Sequence, residues 1–415
     1  MNAPRKTFYV DFISENSTDP WKLFRAAKKL LSMKEELCFP NYSDKTILVN
    51  DIADFFVSKI DTIRSNIDAL SLSCLKDTVP EDFEIGPQKV LSSFKPLTEA
   101  TICKLIQSSA KKSCALDPMP TPLVVSCLDV LLPVITTIVN SSLLQAIVTP
   151  ILKNPSLTSE FSNLRPISNL QFISKLTEHA VFDQLQTHML DHILYPLLQS
   201  AYRKSHSTET ALIKVQNDIL MKMDRQQITL FVLLDLSAAF DTIDHQVLLN
   251  RLRLSFGIRG YALEWIASYL SDRTQRVSFE NNFSQSRYLS CGVPQGSCLG
   301  PLLFTMYASK LFDIIKGHLP RTHAYADDTQ LYLSFKPDTT SSQSNAVDAM
   351  ERCISAIRCW MIKDKLKVND SKTEFILIGT RQQLAKVDIK GLVGGDATIS
   401  PVTVVKTSDR GLMKT

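Results

Sequence analysis

The chain has little charge of one sign. Its 46 Lys and Arg against 42 Asp and Glu leave a net charge of only +4, so any nucleic-acid contact must come from local clusters and not from a basic whole. Paired cysteines are missing too. The nine cysteines are scattered, odd in number and without a Cys-x-x-Cys pair, which favours a reducing compartment, disfavours a structural zinc site and leaves most of them as small core residues. No apolar stretch opens the chain: Met1 to Asp11 is polar and basic, unlike a signal peptide. The nearest approach to a membrane span, Val130 to Leu152, is uncharged, but Pro133, Asn140, Gln145 and Pro150 interrupt it. A helix followed by a strand is the better reading there. The apolar fraction, 44%, is ordinary for a globular protein with an ample core, and 415 residues allow one large domain or two to three smaller ones.

What is present centres on Tyr325-Ala326-Asp327-Asp328. It lies between two short apolar segments, Thr322 to Ala326 and Thr329 to Phe335. The second alternates Leu331, Leu333 and Phe335 with polar neighbours, as a half-buried strand does. The expectation is a hairpin with the acidic pair at its turn. Two adjacent carboxylates repel each other unless a hard cation takes their oxygens; alone, the pair would read as an ordinary turn. A third carboxylate, Asp235, ends the mostly apolar run Gln227 to Leu234, typical of a buried central strand. If the two strands are neighbours, Asp235, Asp327 and Asp328 converge, and three carboxylates suit two-metal phosphoryl transfer.

Three long stretches carry a resemblance. Phe231-Val-Leu-Leu-Asp235-Leu-Ser-Ala-Ala-Phe240-Asp241-Thr-Ile-Asp244-His245, Gly292-Val-Pro-Gln295-Gly296-Ser-Cys-Leu-Gly300-Pro301 and Tyr325-Ala-Asp-Asp328 resemble, in order and approximate separation, motifs A, B and C of reverse transcriptases from non-LTR (LINE-type) retrotransposons, with jockey-like branches most similar. The resemblance runs from about Lys6 to about Gly379. It implies an α+β right-hand polymerase: fingers, a palm of antiparallel sheet backed by helices, and a truncated thumb. The expected divisions are a helical linker at 1–85, fingers at 86–225, palm with inserted fingers elements at 226–380, and palm end with an incomplete thumb at 381–415.

The resemblance also implies an activity: RNA-directed DNA synthesis, in which a primer 3′-hydroxyl attacks a deoxynucleoside triphosphate. Asp235, Asp327 and Asp328 would hold two Mg²⁺ ions (Mn²⁺ as a substitute), with the Leu236 backbone carbonyl helping. The expected partners are an RNA template, a DNA primer or RNA–DNA hybrid, and deoxynucleotides, in a cytoplasmic or nuclear ribonucleoprotein without membrane; the oligomeric state is not legible. Phe240, five positions after Asp235, would collide with a ribose 2′-hydroxyl and select deoxynucleotides, while also packing the following helix. Gln295 and Gly296 would border the nucleotide and template base.

Lys153 and Arg165 belong to the fingers by the same likeness, Arg165 holding the triphosphate through its bidentate fork; without the likeness Arg165 is a surface residue before a helix. Arg203, Lys204 and His206 suit template phosphates or form a solvated basic loop. Lys372, in the motif-D-like Leu366 to Glu374, is a general acid for the pyrophosphate or a solvated lysine in a turn.

The remaining elements read as follows. Helices are expected at Trp21 to Met33, Leu48 to Asn66, Ile173 to Met189, up to Ile219 with Ser207 as cap, His245 to Leu254 capped by Asp244, Tyr261 to Leu270 and Asn345 to Lys363. Leu164 to Asn169 reads as a turn. Gln275 to Phe279 and Ser286 to Ser290 read as a hairpin with Asn281-Asn282 in its loop, and Pro337 to Ser344 as a polar loop. About ten residues that the family carries between Gln145 and Ala146 are missing, and Thr407 to Arg410 replaces the expected primer-grip pattern. The upstream endonuclease, a full thumb and a terminal zinc knuckle are not expected in the chain. These departures keep open an alternative, an inactive remnant retaining only RNA or hybrid binding.

Overall fold

The computed structural model describes residues 39, 42–71, 89–109, 117, 119–139, 146–152, 160–161, 164–203, 205–318, 320–394, 397–402, 404–406 and 412–414. The helix expected at Trp21 to Met33 and the segment Thr407 to Arg410 lie outside them.

Two sheets organise the fold. The first contains β1 (Ala146–Leu152), β2 (Leu164–Asn169), β4 (Thr274–Phe279), β5 (Asn282–Phe283) and β6 (Arg287–Tyr288), in the order β2-β1-β4-β5 with β6 also on β4. β1 runs antiparallel to β2 and parallel to β4, so the shortening expected before Ala146 leaves β1 in the middle of a sheet. Leu164 to Asn169 is therefore a strand and not the expected turn. Pro166 suggested the turn, but among the described residues β2 has a neighbour on one side only, and an edge strand tolerates a residue without an N–H. The β4–β5 hairpin turns at Glu280-Asn281, both at positive φ, one residue earlier than expected. Two consecutive left-handed residues match the twist of the flanking strands.

The second sheet is antiparallel, in the order β7 (Arg321–Tyr325), β8 (Asp328–Phe335), β3 (Ile228–Leu234), β9 (Glu374–Ile378). β3 is central, which accounts for its mostly apolar run: Leu230, Val232 and Leu234 enter the main core with Leu331, while Phe231 packs with Tyr332, Ile376, Val215 and Ile219 on the opposite face. β8 is covered on both faces from Thr329 to Tyr332, so the half-buried alternation expected there is not found. The helix Thr208–Met223 supplies that second cover. Its start is fixed by a capping box between Ser207 and Thr210.

Under the main face lie α1 (Leu299–Tyr307) and α2 (Thr340–Lys363). Eight of the nine residues of α1 are buried, the pattern of an inner helix covered all round. α2 begins earlier than expected because the Thr339 side chain accepts from the Ser342 N–H, and a threonine cap turns the polar stretch into the first turn of a helix. Leu128–Ile138 is helical and Ala146–Leu152 a strand, and among the described residues no helix is long and apolar enough to cross a membrane.

The helix Lys45–Ser71 overruns its expected ends and joins the two sheets. Ile52 and Phe56 pack against Leu164 and Val277 of the first sheet. At its other end Arg64 donates to Asp244 and to the Thr242 carbonyl, and Lys365 pairs with Asp68.

Candidate active site

The site grows from strand ends. Leu234 is paired with Thr329, so the next residue of one strand, Asp235, stands opposite the preceding residue of its neighbour, Asp328. Asp328 is itself the first residue of β8, paired with Tyr325, and the turn is Ala326-Asp327; the acidic pair thus straddles the turn's end and does not occupy the turn. All three carboxylates sit at one end of the sheet. As the side chains stand, no three His, Cys, Asp or Glu among the described residues form a cluster close enough to hold a metal ion. The donor set nonetheless fits a hard divalent cation, being all carboxylate oxygen at two neighbouring strand ends and the adjoining turn.

Asp235 is held by the segment after α2. Its carbonyl accepts from Asn369 N–H at 2.9 Å, and its Oδ2 accepts from Asn369 Nδ2 at 2.8 Å. Lys372 Nζ lies 3.9 Å from the same oxygen. Leu236 bridges to Val368, but the two bonds of that bridge use Asp235 O and Ser237 N, so the pairing does not consume the Leu236 carbonyl.

The loops that carry Phe240 and Gln295 meet through the backbone. Val293 N–H donates to the Phe240 carbonyl at 2.9 Å, and Gly292 N–H to the Ile243 carbonyl at 2.8 Å. Gly292 has φ +86°, and a Cβ there would stand 2.8 Å from the Asp241 carbonyl oxygen, so the two loops pack as closely as glycine allows. Gly296, at φ +100°, gives the next bend. The Phe240 ring rests on Phe304 at a centroid distance of 5.1 Å. Gln295 Nε2 donates to Asp241 Oδ2 at 2.8 Å. Burial pushes the Asp241 carboxyl up to about 6, against the opposing pull of the Gln295 bond and the Lys59 charge. Asp241 borders a cavity of about 80 Å³, which accounts for its partial exposure.

A buried carboxylate supports the next helix. Glu178, 1% exposed, accepts from the Cys298 N–H and from the Tyr269 hydroxyl, each at 2.9 Å. It sits at the N-terminal end of α1, where negative charge is favoured. Burial and the Glu178 charge push the Cys298 thiol far up, which suits an inert core cysteine.

Other expected residues fall elsewhere. Lys153 and Lys204 lie outside the described residues, as does the side chain of Arg165, whose backbone pairs with Ile151. Arg203 is half-buried over the Tyr195 ring, 5.4 Å from its centroid, and His206 is exposed beside it, its N–H donating to the Arg203 carbonyl.

Gln199, Asp241 and Asn369 carry no role in the sequence reading, because a hydrogen bond between distant segments leaves no local signal. Gln199 is the most direct of them. Its Nε2 donates to the Ala326 carbonyl at 3.0 Å, and its Oε1 accepts from the Ala326 N–H at 2.9 Å.

Comparison with known proteins gives the family. A family model described as reverse transcriptase (RNA-dependent DNA polymerase) matches residues 151–401. The chain is 30% identical over 237 residues to the probable RNA-directed DNA polymerase from transposon BS of Drosophila melanogaster, covering 55% of this chain and 25% of that protein. It is 28% identical over 228 residues to the RNA-directed DNA polymerase from mobile element jockey of the same fly, covering 54% and 24%. A shorter match, 30% over 89 residues, covers 21% of this chain and 14% of the Pol polyprotein from the type-1 retrotransposable element R2 of Popillia japonica. The chain thus spans about a quarter of the length of the first two relatives. With the family model covering more than half of it, and with its acidic strand ends in one sheet, the chain belongs to the reverse transcriptase family, among those of non-LTR retrotransposons.

Proposed function

We propose that the chain is an RNA-directed DNA polymerase that extends a primer 3′-hydroxyl with deoxynucleotides on an RNA template. The observation that supports this most is the adjacency of Asp235 and Asp328 at one end of a sheet, with Asp327 in the turn that leads into β8. In this reading the four-stranded sheet with α1 and α2 is the palm, and the five-stranded sheet with the helices before it belongs to the fingers. Residues 226–380 make the palm with inserted fingers elements, 86–225 the fingers, and 381–415 the palm end and start of a thumb. The 1–85 segment would be a linker whose helix Lys45–Ser71 also braces the polymerase.

Reverse transcriptase domains generally use divalent metals. Here Mg²⁺ would be held by Asp235, Asp327 and Asp328, with the Leu236 carbonyl, and would supply charge neutralisation at the reacting phosphate. The residues around it have separate tasks. Asn369 holds the Asp235 carboxylate in one orientation. Phe240, steadied by Phe304, closes the sugar site against a 2′-hydroxyl, with Gln295 and Gly296 along the nucleotide and template base. Arg165 and Lys153 would meet the triphosphate; Arg203, Lys204 and His206 the template backbone. Lys372, paired loosely with Asp235, would pass a proton from Nζ to the departing pyrophosphate.

The test is primer extension on an RNA template with Mg²⁺ and deoxynucleotides, beside the Asp327→Ala/Asp328→Ala double variant. Extension that vanishes in the variant is expected. Equal extension by both, or none by either with hybrid binding retained, would overturn the reading.

A further inference from the structure

The turn that carries Asp327 is held from outside the sheet. Ala326 has φ +58°, a left-handed conformation at the first position of a two-residue hairpin turn, where glycine is the usual residue. A backbone held in such a region persists only when its surroundings over-determine it. Here the β7–β8 pairing closes the turn from within the hairpin, and one side chain from a distant segment grips it from outside. Gln199, 2% exposed, both gives to and takes from Ala326, and its Oε1 also accepts from Ala201 N–H at 3.0 Å.

Gln199 is itself anchored to β7. Ser200 N–H donates to the Ala324 carbonyl at 3.0 Å, and Ala324 N–H to the Leu198 carbonyl at 2.9 Å, a short parallel bridge. One residue on, Ser200 Oγ and His323 Nε2 stand 2.9 Å apart in the interior. The clamp therefore cannot slide without breaking three buried contacts. An amide side chain carries its donor and its acceptor on separate atoms, matching the Ala326 carbonyl and N–H at once.

We propose that Gln199 is a positioning residue that locks the Ala326 turn and so fixes Asp327 and Asp328 relative to Asp235. The proposal rests on the polymerase reading above, and it extends the machinery to a residue 127 positions upstream of the turn.

The experiment compares the full chain with Gln199→Leu, similar in volume but unable to hydrogen-bond, and with Gln199→Glu, which keeps the acceptor toward the Ala326 N–H and loses the donor. Two readouts are needed. The first is amide hydrogen exchange at Ala326, with Val232 and Leu331 as controls within the sheet. The second is primer extension as a function of Mg²⁺ concentration. In Gln199→Leu the Ala326 amide is expected to exchange at least about 10-fold faster while the controls are unchanged. Its kcat is expected to fall about 10-fold to 100-fold, as for misplaced catalytic groups, with a several-fold rise in the Mg²⁺ needed for half activity. Gln199→Glu should lie between, and it carries the test alone if Gln199→Leu does not fold.

Unchanged Ala326 protection with an unchanged Mg²⁺ requirement would overturn the proposal. So would a uniform loss of protection across β3 and β8 with reduced amplitude but the same Mg²⁺ requirement, the signature of a purely structural role. If the unaltered chain does not extend a primer, the polymerase reading fails by itself, and the exchange data decide the clamp.

Discussion

The Gln295 amide donates to the Asp241 carboxylate across 2.8 Å, tying the loop after β3 to the glycine-rich loop before α1. Asp241 is half-buried beside the cavity, and desolvation holds its carboxyl near 6, above the ordinary 3.8. A raised folded-state value means that the charged form is the one penalised. The penalty is complete above pH 6 and is relieved as pH falls from about 6 toward 4. Asp241→Asn should therefore melt higher than the parent at pH 8, with the difference shrinking toward pH 5. A constant difference across that range, read by thermal denaturation, would contradict a desolvated, titrating Asp241.

Phe240 is expected to set sugar discrimination. Phe240→Ala should admit ribonucleotides, lowering the preference for deoxynucleotides by on the order of 100-fold. Phe240→Leu keeps much of the packing against Phe304 and should keep most of the preference. Steady-state kcat/KM for matched deoxy- and ribonucleotides measures both. An unchanged ratio in Phe240→Ala would reduce this ring to a packing role.

Arg251 and Asp364 form a pair in the interior, Nη1 to Oδ2 2.7 Å, with side chains only 4% and 12% exposed. Arg251 also donates to the Tyr307 carbonyl, so it joins α1 to the end of α2. Arg251→Leu leaves the Asp364 carboxylate enclosed without that partner and should cost about 3–5 kcal/mol. Arg251→Leu/Asp364→Leu should recover much of that loss. Urea denaturation of the three variants is the measurement.

Arg64 ties the helix Lys45–Ser71 to Asp244, whose own oxygen caps the helix His245–Ser255. Burial pushes the Asp244 carboxyl up, but the Arg64 bond and the N–H groups of Val247 and Gln246 outweigh it and hold the group below its ordinary value. That contribution is present at neutral pH and is lost as pH falls below the usual carboxylate range. Arg64→Ala should cost about 1–3 kcal/mol at pH 7, and its difference from the parent should narrow in strong acid. Hydrogen exchange should quicken in residues 45–71 before it does in β3.

Local pattern made much of this protein readable. The buried strand ending at Asp235, the hairpin around Asp327, and the caps at Ser207 and Asp244 follow from residue type and spacing over a few positions, and the structure has each in place. Errors came where the deciding factor was a neighbour distant in sequence. Pro166 sits in a strand because β2 is an edge among the described residues. β8 shows no alternation because a helix covers its second face. The Thr339 cap was the exception, a local signal overridden by the polarity of the stretch it opens.

The sequence by itself determined the list of chemical groups: one carboxylate at a strand end and two at a hairpin turn, an aromatic five residues after the first, and a glycine-rich loop. It determined their order as well, since strand and turn propensities act over neighbouring residues. Tertiary structure alone decided how those groups are held. Gln199 clamps Ala326, Asn369 orients Asp235, Glu178 supports α1, and Gln295 meets Asp241. Each is a hydrogen bond between segments 54 to 134 residues apart, and such a bond depends on how the sheets and helices stack, which spacing along the chain does not encode.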